Sequence, residues 1–480
     1  MRRAKIVCTI GPAVESVEKI TELIAAGMNM ARLNLSHGGH EEHQIRLNNV
    51  REVAKKANKA VAILVDLQGP KIRLGRFKNG PHDLARGDKF TITTEDVEGT
   101  KDRVSTTYKG LPGDCKIGDK IMIDDGKVTV EVSEVNGNDV VTKVIHPGAV
   151  SNNKGLNLPG VAVSVPAMSE KDVADLRWGL KAGADFIALS FVRNASDVKD
   201  VHKIMDEVGI RIPVIAKIEK PQAVANLQEI VDAFDGIMVA RGDLGVELPI
   251  EDVPMVQKRC ITMARESAKP VIVATQMLDS MISNSQPTRA EATDCANAVL
   301  DGADALMLSG ETSVGEFPIE SVKIMARIIE RTEEIALDQI PPLKHSPATK
   351  GGAITKAATE VGLTVGAKFL VAFTQSGDSA RRMSRLRSPI PMLALTPDNG
   401  TYNRLALSWG VESLLTPVVN HTDEMVMQVD TILINSKRVN LGDLVLIVAG
   451  SPPGIPGSIN AMRVHKIGDA VGGVAPAYRK

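Results

Sequence analysis

The residues best suited to chemistry lie close together in the middle of the chain. Lys217 and Glu219 follow an apolar run at 214–216, and Asp243 follows a second one at 236–239. Short apolar runs are typical of buried strands, and parallel-sheet enzymes carry their active sites at the carboxyl ends of their strands. A lysine beside two carboxylates predicts a divalent metal next to a general acid or an electrostatic stabiliser.

These residues belong to a longer alternation of strands and helices, which is typical of a parallel sheet. Strands are predicted at 5–10, 28–35, 61–65, 186–189, 214–218, 237–240, 271–274 and 305–308. Helices are predicted at 15–26, 41–58, 170–181, 197–208, 224–231, 256–267, 288–300 and 319–335. Eight strand–helix units are the number that closes a (β/α)8 barrel. The alternative, an open doubly wound sheet, needs a topological switch point and usually has fewer strands.

One stretch interrupts this alternation. From residue 69 to about 166, short β-branched runs alternate with turn pairs such as Asp125-Gly126 and Asn136-Gly137. This pattern predicts a small all-β insertion built from hairpins.

The chain continues beyond the last barrel helix. After Pro341-Pro342 come further predicted strands at 369–373, 392–395 and 444–448, with helices around 354–365 and 423–434. We therefore expect a separate α/β domain with its own core. The predicted domains are a barrel of residues 1–69 and 167–341, a β-barrel-like lid of residues 70–166, and an α/β domain of residues 342–480.

Composition narrows the class of partners. The net charge is -1 and aromatic residues make up 3% of the chain, so neither property favours nucleic-acid binding. No apolar stretch of about 20 residues predicts a membrane span, and no signal peptide is visible at the amino end. The cysteines are scattered (Cys8, Cys115, Cys260 and Cys295), which predicts a reduced, cytoplasmic protein with buried thiols.

A polar group follows nearly every barrel strand. Because carboxyl-end loops of a barrel face one another, these groups are predicted to converge. Arg32 and Lys217 suit a phosphate group, and the hydroxyls of Thr275 and Ser309 suit proton relay. Each signal alone has a structural alternative, namely a rim ion pair, a helix cap or a hydroxyl bonded to backbone. The strand-end residues are Pro12, Arg32, Asn34, Ser36, Asp66, Ser190, Lys217, Glu219, Arg241, Gly242, Asp243, Thr275, Gln276, Ser309, Gly310 and Glu311.

Several of these segments resemble motifs of the pyruvate kinase family, in order along the chain. They are RLNLSHG at 32–38, SNNKG at 151–155, AKIE at 216–219, ARGDLG at 240–245, ATQML at 274–278 and PTRAE at 287–291. The resemblance implies a (β/α)8 TIM barrel with an inserted small all-β lid domain and a C-terminal α/β effector domain. It also implies transfer of a phosphoryl group from phosphoenolpyruvate to ADP, giving pyruvate and ATP.

The resemblance further implies roles for individual residues. Glu219 and Asp243 would hold Mg²⁺ or Mn²⁺, Lys217 would stabilise the phosphoryl group and the enolate, and Arg32 would contact the transferred phosphate. The substrate carboxylate would be held by Gly242, Asp243 and Thr275. Nucleotide phosphates would be met by Arg73 and Lys154 of the insertion, with Asn34 and His37 nearby. The enolate would be protonated through Thr275 or Ser309.

One motif departs from the family pattern. Many members read Asp-Thr-Lys-Gly-Pro-Glu and need K⁺, whereas this chain reads DLQGPK at 66–71. The ammonium of Lys71 would supply the charge that K⁺ otherwise brings, so we expect that K⁺ is not required. The monovalent-site positions are Asn34, Ser36, Asp66 and Leu67.

The α/β domain resembles the family's effector domain. Thr374, Ser376 and Ser379 follow a strand and open a helix, an arrangement suited to a phosphate. A second loop at 450–457 and arginines at 381–387 lie nearby in sequence, although an arginine run is usually a solvated helix face. Asp378 would repel a phosphate if it pointed inward. The expected effector is a sugar phosphate or AMP, and the expected assembly is a homotetramer.

Two rival functions stay open from sequence. A metal-dependent carbon–carbon lyase acting on 2-oxo acids would also use a Glu and an Asp on Mg²⁺, but it would need no nucleotide lid. A metabolite sensor without turnover would not need the polar residues at the strand ends.

Overall fold

The computed structural model describes residues 2–124, 126–161, 163–344, 347–451, 453 and 457–470. The strands of this part of the chain are β1 (Lys5–Thr9), β2 (Met30–Asn34), β3 (Ala62–Asp66), β4 (His82–Leu84), β5 (Lys89–Thr93), β6 (Arg103–Ser105), β7 (Lys120–Ile123), β8 (Val128–Asn136), β9 (Asp139–His146), β10 (Gly148–Val150), β11 (Leu156–Asn157), β12 (Phe186–Leu189), β13 (Val214–Ile218), β14 (Gly236–Ala240), β15 (Val271–Ala274), β16 (Ala305–Leu308), β17 (Leu370–Phe373), β18 (Met392–Thr396), β19 (Val411–Leu415), β20 (Leu444–Gly450) and β21 (Ile459–Lys466).

The helices surround these strands. They are α1 (Val17–Ala26), α2 (His40–Lys56), α3 (Leu111–Asp114), α4 (Glu170–Ala182), α5 (Asp197–Val208), α6 (Pro221–Ala225), α7 (Leu227–Ala233), α8 (Arg241–Glu247), α9 (Val253–Glu266), α10 (Arg289–Asp301), α11 (Gly310–Ser313), α12 (Pro318–Ala336), α13 (Lys350–Thr364), α14 (Asp378–Ser384), α15 (Asn399–Arg404) and α16 (Thr422–Asn435). Four short 3-10 segments lie at Ile250–Asp252, Asp279–Ile282, Leu337–Gln339 and Leu405–Leu407.

Eight parallel strands close into a barrel in the order β1-β16-β15-β14-β13-β12-β3-β2. The eight predicted strands are therefore confirmed, and the open doubly wound sheet is wrong. Strands such as β1, β3 and β14 are buried at every position, because the barrel interior covers one face and the helices cover the other. This explains why they appear in the sequence as continuous apolar runs.

The insertion between β3 and α4 is all-β apart from the short helix α3. Strands β11, β7, β8, β9, β5 and β6 form one sheet, and β4 pairs with β10. The hairpin predicted at Asn136-Gly137 joins β8 to β9, whereas Asp125 of the other predicted turn lies outside the described residues. We refer to this insertion as the lid.

The carboxyl-terminal part of the chain forms a five-stranded sheet in the order β19-β18-β17-β20-β21. Strands β17, β18 and β20 match the prediction. Strands β19 and β21 were not predicted, because polar residues Glu412 and Ser413 interrupt the apolar run of β19 and β21 is an edge strand with mostly exposed side chains. Half of the loop predicted at 450–457, namely residues 452 and 454–456, lies outside the described part. The domain boundaries at 69/70, 166/167 and 341/342 stay predictions.

The amino end of the chain ties the barrel to the carboxyl-terminal sheet. Glu333 of α12 accepts hydrogen bonds from the backbone amides of Arg3 and Ala4, both at 2.7 Å. The ammonium of Lys5 donates to the carbonyl of Val411 at 2.7 Å. The first barrel strand is thus fixed by residues that come more than 300 positions later in the chain.

Two helix predictions need correction. The helix predicted at 224–231 is two helices, α6 and α7, separated by Asn226, whose side-chain amide instead donates to the carbonyl of Arg193 at 2.9 Å. The arginine run was expected to be a solvated helix face, yet Arg385 and Arg387 are 8% and 6% exposed.

All four cysteines are free and buried, as predicted. No helix among the described residues is long and apolar enough to cross a membrane.

Candidate active site

The carboxyl ends of neighbouring barrel strands bring the predicted charged residues together. Lys217 lies near the end of β13 and Asp66 ends β3, with only β12 between these strands. The Lys217 ammonium is 3.0 Å from a carboxylate oxygen of Glu219 and 3.3 Å from one of Asp66. It also donates a hydrogen bond to the hydroxyl of Ser190 at 2.8 Å. The sequence motif therefore places a cation between two buried carboxylates.

The electrostatics keep this cation charged. Burial alone would lower the pKa of Lys217, but Asp66 and Glu219 outweigh burial and raise it above its ordinary value. Burial alone would likewise raise the pKa of Asp66, but Lys217 and Arg32 hold it below its usual range. The raised pKa favours the ammonium form of Lys217, which suits charge stabilisation better than proton donation.

Arg32 shares Asp66 with Lys217. Its Nε donates to the other carboxylate oxygen of Asp66 at 2.6 Å, and its Nη1 donates to the hydroxyl of Thr9 at 3.0 Å. The side chain is fixed by packing and two hydrogen bonds, because Arg32 is buried in the middle of β2. Two fixed cations thus border one side of the barrel mouth.

Glu219 directly follows β13, and Asp243 lies in the first turn of α8, which follows the neighbouring strand β14. One Glu219 oxygen accepts the backbone amide of Phe191 at 2.7 Å, and the other pairs with Lys217. Burial raises the pKa of Glu219; Lys217 opposes this shift, and the negative charge of Asp243 adds to it. Two like charges close together in a buried place are the arrangement that a bound divalent cation relieves. The donor set therefore fits Mg²⁺ or Mn²⁺.

This pair is a small ligand set. Among the described residues no group of three or more His, Cys, Asp or Glu side chains is placed to hold a metal. Mg²⁺ usually keeps several waters and takes one or two carboxylates plus substrate oxygens. Two carboxylates are consistent with a metal that is completed by substrate.

Thr275 has a strained backbone. Its φ is +71°, and that of Gln276 is +55°, in the left-handed region that β-branched residues rarely adopt. The Thr275 hydroxyl donates to the carbonyl of Ala274 at 2.6 Å and accepts the backbone amide of Gly242 at 2.7 Å. This contact joins the loop after β15 to the first turn of α8, which carries Asp243. A Cβ on Gly242 would lie 3.3 Å from the Thr275 hydroxyl, so the close approach favours glycine there.

Arg241 supports the same loop. It donates to the carbonyl of Thr275 at 2.8 Å and pairs with Asp294 of α10 at 2.6 Å. The sequence placed Arg241 at a strand end but assigned it no role. Arg241 therefore stabilises the strained turn at Thr275 and Gln276.

Ser309 lies after β16 and is held through its backbone. The carboxylate of Glu311 accepts the amides of Ser309 at 2.7 Å and of Leu278 at 3.1 Å. The Ser309 hydroxyl is buried and has no hydrogen-bond partner among the described residues. A buried hydroxyl without a partner is costly unless a ligand or water uses it.

The predicted nucleotide residues of the lid do not contact the barrel cluster. Arg73 donates to the carbonyl of Asn153 at 3.0 Å, and Lys154 pairs with Asp124 at 3.0 Å, all within the lid. His37 is exposed, and its carbonyl accepts a hydrogen bond from the ring of His43.

The monovalent-site positions lie where β2 and β3 end. The Asn34 side chain accepts the backbone amide of Ser36 at 3.2 Å, and the carbonyl of Leu67 accepts the Ser190 hydroxyl at 2.7 Å. Lys71 forms no ion pair with Asp66 in the described structure, and its side chain lies against Gly155 of the lid. Lys71 lies at the start of the lid, where it lines a cavity together with Asp243.

Sequence reasoning missed the polar contact between lid and barrel. Glu247 at the end of α8 is buried, pairs with Lys220 at 2.5 Å and accepts a hydrogen bond from Asn157 of β11 at 3.0 Å. Thr9, which anchors Arg32, was also missed. Glu247 follows the ARGDLG motif by two positions, so an acid at the end of this seven-residue helix was the available signal.

The predicted effector residues border a cavity of about 80 Å³ in the carboxyl-terminal domain. Thr374, Ser376 and Ser379 line it, and the Thr374 hydroxyl accepts the amide of Gly377 at 2.9 Å. Asp378 pairs with Arg382 at 2.6 Å, so its negative charge is partly compensated. The repulsion of a phosphate that the sequence suggested is thereby reduced.

Comparison with known proteins defines the class. The family described as "Pyruvate kinase, barrel domain" matches residues 1–322, and "Pyruvate kinase, alpha/beta domain" matches residues 352–465. The crystal structure of a pyruvate kinase from Cryptosporidium parvum superposes with a TM-score of 0.91 at 37% identity, covering 97% of this chain and 96% of that one. The fold and these matches define a phosphotransferase built on a TIM barrel.

Two relatives of nearly equal length and one longer relative carry the comparison further. The pyruvate kinase of Corynebacterium glutamicum is 57% identical, with 98% of each chain covered. That of Mycobacterium tuberculosis is 56% identical over 98% of this chain and 99% of the relative, and that of Geobacillus stearothermophilus is 47% identical over 98% and 81%. The chain belongs to the pyruvate kinase family. Membership implies phosphoenolpyruvate and ADP as substrates, pyruvate and ATP as products, and dependence on a divalent metal.

Proposed function

We propose that Lys217 and Arg32 carry the charge of the phosphoryl group as it leaves phosphoenolpyruvate for ADP. The supporting observation is the position of Lys217, whose raised pKa keeps it cationic 3.0 Å from Glu219 and 3.3 Å from Asp66. Phosphoryl transfer depends mainly on positioning and on neutralising charge. Arg32 is held by Asp66 and Thr9, so it meets the phosphate without having to be ordered first.

Glu219 and Asp243 are proposed to hold Mg²⁺ or Mn²⁺. When bound, the metal neutralises charge on the phosphoryl and enolate oxygens. The protein's part is to hold the two carboxylates on neighbouring elements, with one Glu219 oxygen fixed by the Phe191 amide. The substrate carboxylate is assigned to the amides of Gly242 and Asp243 and to the Thr275 hydroxyl.

Proton delivery to the enolate carbon is assigned to the hydroxyl pair Thr275 and Ser309. Thr275 is held by a left-handed backbone at the barrel mouth, and Ser309 has a buried hydroxyl without a partner in the described chain. A relay through these hydroxyls and water ends in pyruvate. Arg73, Lys154, Asn34 and His37 are proposed to contact the nucleotide once the lid closes and excludes water.

We further propose that the enzyme works without K⁺. The supporting observation is that Lys71, which follows the monovalent-site positions Asp66 and Leu67 in sequence, forms no ion pair with Asp66 in the described structure. The other positions of that site are Asn34 and Ser36. An activating phosphorylated metabolite, a sugar phosphate or AMP, is proposed to bind the cavity lined by Thr374, Ser376 and Ser379. A homotetrameric assembly and a cytoplasmic location stay predictions.

A coupled assay tests this assignment. Phosphoenolpyruvate and ADP with Mg²⁺ should yield ATP and pyruvate in equal amounts, in buffer free of both K⁺ and Na⁺. Carbon–carbon cleavage of a 2-oxo acid without ATP formation would instead support a lyase. Turnover that falls to a few per cent without K⁺ would contradict the role of Lys71 but leave the kinase assignment intact.

A further inference from the structure

The chain enters and leaves the lid through two short segments, which we call the first crossing (residues 68–70) and the second crossing (residues 166–169). The first crossing follows β3 and the second precedes α4. Leu67 still belongs to the barrel, because its amide donates to the carbonyl of Ala188 at 3.0 Å and its carbonyl accepts the Ser190 hydroxyl at 2.7 Å. Any change in the angle of the lid over the barrel mouth is therefore taken up in the crossings.

The carboxylate of Asp172, in the first turn of α4, holds both crossings. One of its oxygens accepts the backbone amide of Gly69 from the first crossing at 2.9 Å. The other accepts the backbone amide of Ser169 in the second crossing at 2.8 Å and the Ser169 hydroxyl at 2.6 Å. The side chain is fully buried, so water does not replace these bonds while the helix end stays in place. One carboxylate thus joins two segments of the chain, although Gly69 and Asp172 are 103 positions apart.

Helix capping accounts for only part of this arrangement. Ser169 and Asp172 form a capping box, in which the side chain of each accepts the backbone amide of the other. A capping box uses one carboxylate oxygen of the acidic residue. The bond from the second oxygen to Gly69 is additional to it, and it ties the start of α4 to the opposite side of the insertion.

The first crossing also packs closely against the barrel. Gly69 has a φ of +75°, and a Cβ there would lie 2.6 Å from the ring of Phe191 and 2.9 Å from the Cβ of Ser190. A larger residue would not fit without moving the turn formed by Ser190 and Phe191. The backbone of the first crossing therefore has little freedom beside the barrel, and Asp172 fixes the amide of Gly69, where it turns toward the lid.

The charged cluster of the barrel is held separately from the crossings. The Ser190 hydroxyl accepts a hydrogen bond from the Lys217 ammonium at 2.8 Å, and the amide of Phe191 donates to Glu219 at 2.7 Å. Neither of these bonds includes Asp172. A change at Asp172 should therefore disturb the lid and leave the residues proposed for phosphoenolpyruvate and the metal in place.

We propose that Asp172 is a positioning residue for phosphoryl transfer, because it fixes the angle of the lid over the barrel mouth by holding both crossings. The inference rests on the proposed function, in which Arg73 and Lys154 of the lid meet the nucleotide. Arg73 follows the first crossing closely in sequence, so a change in the direction of that crossing displaces it. A displacement of about 1 Å is enough to lower a rate by about 10²-fold. Asp172 itself touches no substrate and acts through the lid.

Asp172→Asn tests this role with almost no change of shape. An asparagine side chain has one acceptor oxygen and one donor NH₂ group, so it cannot accept hydrogen bonds from Gly69 and Ser169 at the same time. We expect KM for ADP to rise by about tenfold, whereas KM for phosphoenolpyruvate should stay within about twofold. Hydrogen exchange of the backbone amides, measured by mass spectrometry without substrates, should become faster in the peptides that contain Gly69 and Ser169.

Asp185→Asn is the matched control. Asp185 is also buried and accepts a backbone amide, that of Ile63 at 2.7 Å, but it lies directly before β12 at the opposite end of the barrel. Its replacement should lower stability and leave both KM values within about twofold. The proposal fails if Asp172→Asn raises the two KM values in parallel, if Asp185→Asn gives the same kinetic change, or if exchange at both crossings stays as in the wild type.

Two further variants complete the test. If circular dichroism shows that Asp172→Asn does not fold, Ser169→Ala, which removes one hydroxyl from the second crossing, decides the matter. A rise of about threefold in KM for ADP alone supports the proposal, and no change overturns it. Arg73→Gln tests the proposed function separately. If Arg73→Gln leaves KM for ADP unchanged, the assignment of the nucleotide to Arg73 fails; if it raises this KM and Asp172→Asn does not, only the role of Asp172 fails.

Discussion

Cationic side chains cluster at both ends of the barrel, but the two clusters differ in the carboxylates that lie beside them. At the carboxyl ends of the strands, Arg32 and Lys217 each lie within 3.3 Å of a buried carboxylate. At the amino ends, five cations line a small cavity in which Asp304 is the one carboxylate among the described lining residues, and it pairs with Arg387 at 3.1 Å. A matched set of charges holds its own geometry before the substrate arrives, which is what preorganised catalysis needs. In the cluster at the amino ends, Arg385 and Arg387 are instead held by backbone carbonyls, those of Glu266 and Gly302.

The largest effect is expected at the matched end. Lys217→Met removes the cation between Asp66 and Glu219 and leaves two buried carboxylates without their shared partner. We expect kcat for ATP formation to fall by about 10³-fold or more. Lys171→Met, which removes a partly exposed lysine paired with Asp175 on α4, should leave kcat within about twofold. Near-normal turnover of Lys217→Met in a folded protein would refute the role of Lys217.

The next largest effect is expected when one of the two proposed metal ligands, Glu219, is replaced. Glu219→Gln keeps the shape but removes one carboxylate, so the Mg²⁺ concentration for half-maximal activity should rise by about 10²-fold. Because burial and Asp243 raise the pKa of Glu219, protons compete with the metal at a higher pH than for an ordinary glutamate.

In the wild type the apparent Mg²⁺ affinity should therefore weaken as the pH falls, and Glu219→Gln should lose that pH dependence. Kinetics at several Mg²⁺ concentrations between about pH 8 and about pH 6 measure both. A pH-independent Mg²⁺ requirement in the wild type would contradict the assignment.

A smaller effect is expected at Lys71. Many K⁺-dependent family members have glutamate at this position. Replacing Lys71 by glutamate removes the ammonium at the start of the lid. We expect activity without K⁺ to fall by about tenfold and to be restored by added K⁺. Lys78→Glu, an exposed lid lysine, is the control for the change of charge. If Lys71→Glu stays active without K⁺, the ammonium does not replace the ion.

The smallest effect is expected at the amino ends of the strands. Burial lowers the pKa of Lys5 to about 8, from an ordinary value of 10.5. Between these two values the unfolded chain binds more protons than the folded one, so stability should rise with pH in this range. The melting temperature of the wild type should increase relative to Lys5→Met by about 1–3 °C between pH 8 and pH 10. If the difference in melting temperature between the two proteins does not change with pH, then Lys5 does not pass from a charged form in the unfolded chain to a neutral form in the folded one.

The barrel could be predicted because its strands are buried on both faces. Segments such as β3 and β14 are apolar at every position except the last residue of β3, Asp66, and strand-end residues such as Lys217 and Asp243 then follow from topology. Eight such segments leave little choice of architecture.

The rest depends on information that no local pattern holds. Thr275 gives no sign in sequence of its left-handed backbone, because a β-branched residue is normally evidence against one. Arg385 and Arg387 look like a solvated face until the barrel is packed against them. The bond from Asn157 to Glu247 joins residues 90 positions apart, so only the folded chain shows that the lid touches the end of α8.

The pairing of β1 with β16 has a consequence for how the protein is made. The first strand synthesised cannot complete its hydrogen bonds until Ala305–Leu308 has left the ribosome, and Lys5 must wait longer still for Val411. Until then β1 exposes an apolar edge, which is the condition under which chains aggregate or recruit chaperones. The lid, whose strands pair among themselves, can fold early and independently. Ribosome-bound chains stalled shortly before residue 305 should therefore have a protease-resistant lid and a protease-sensitive amino terminus.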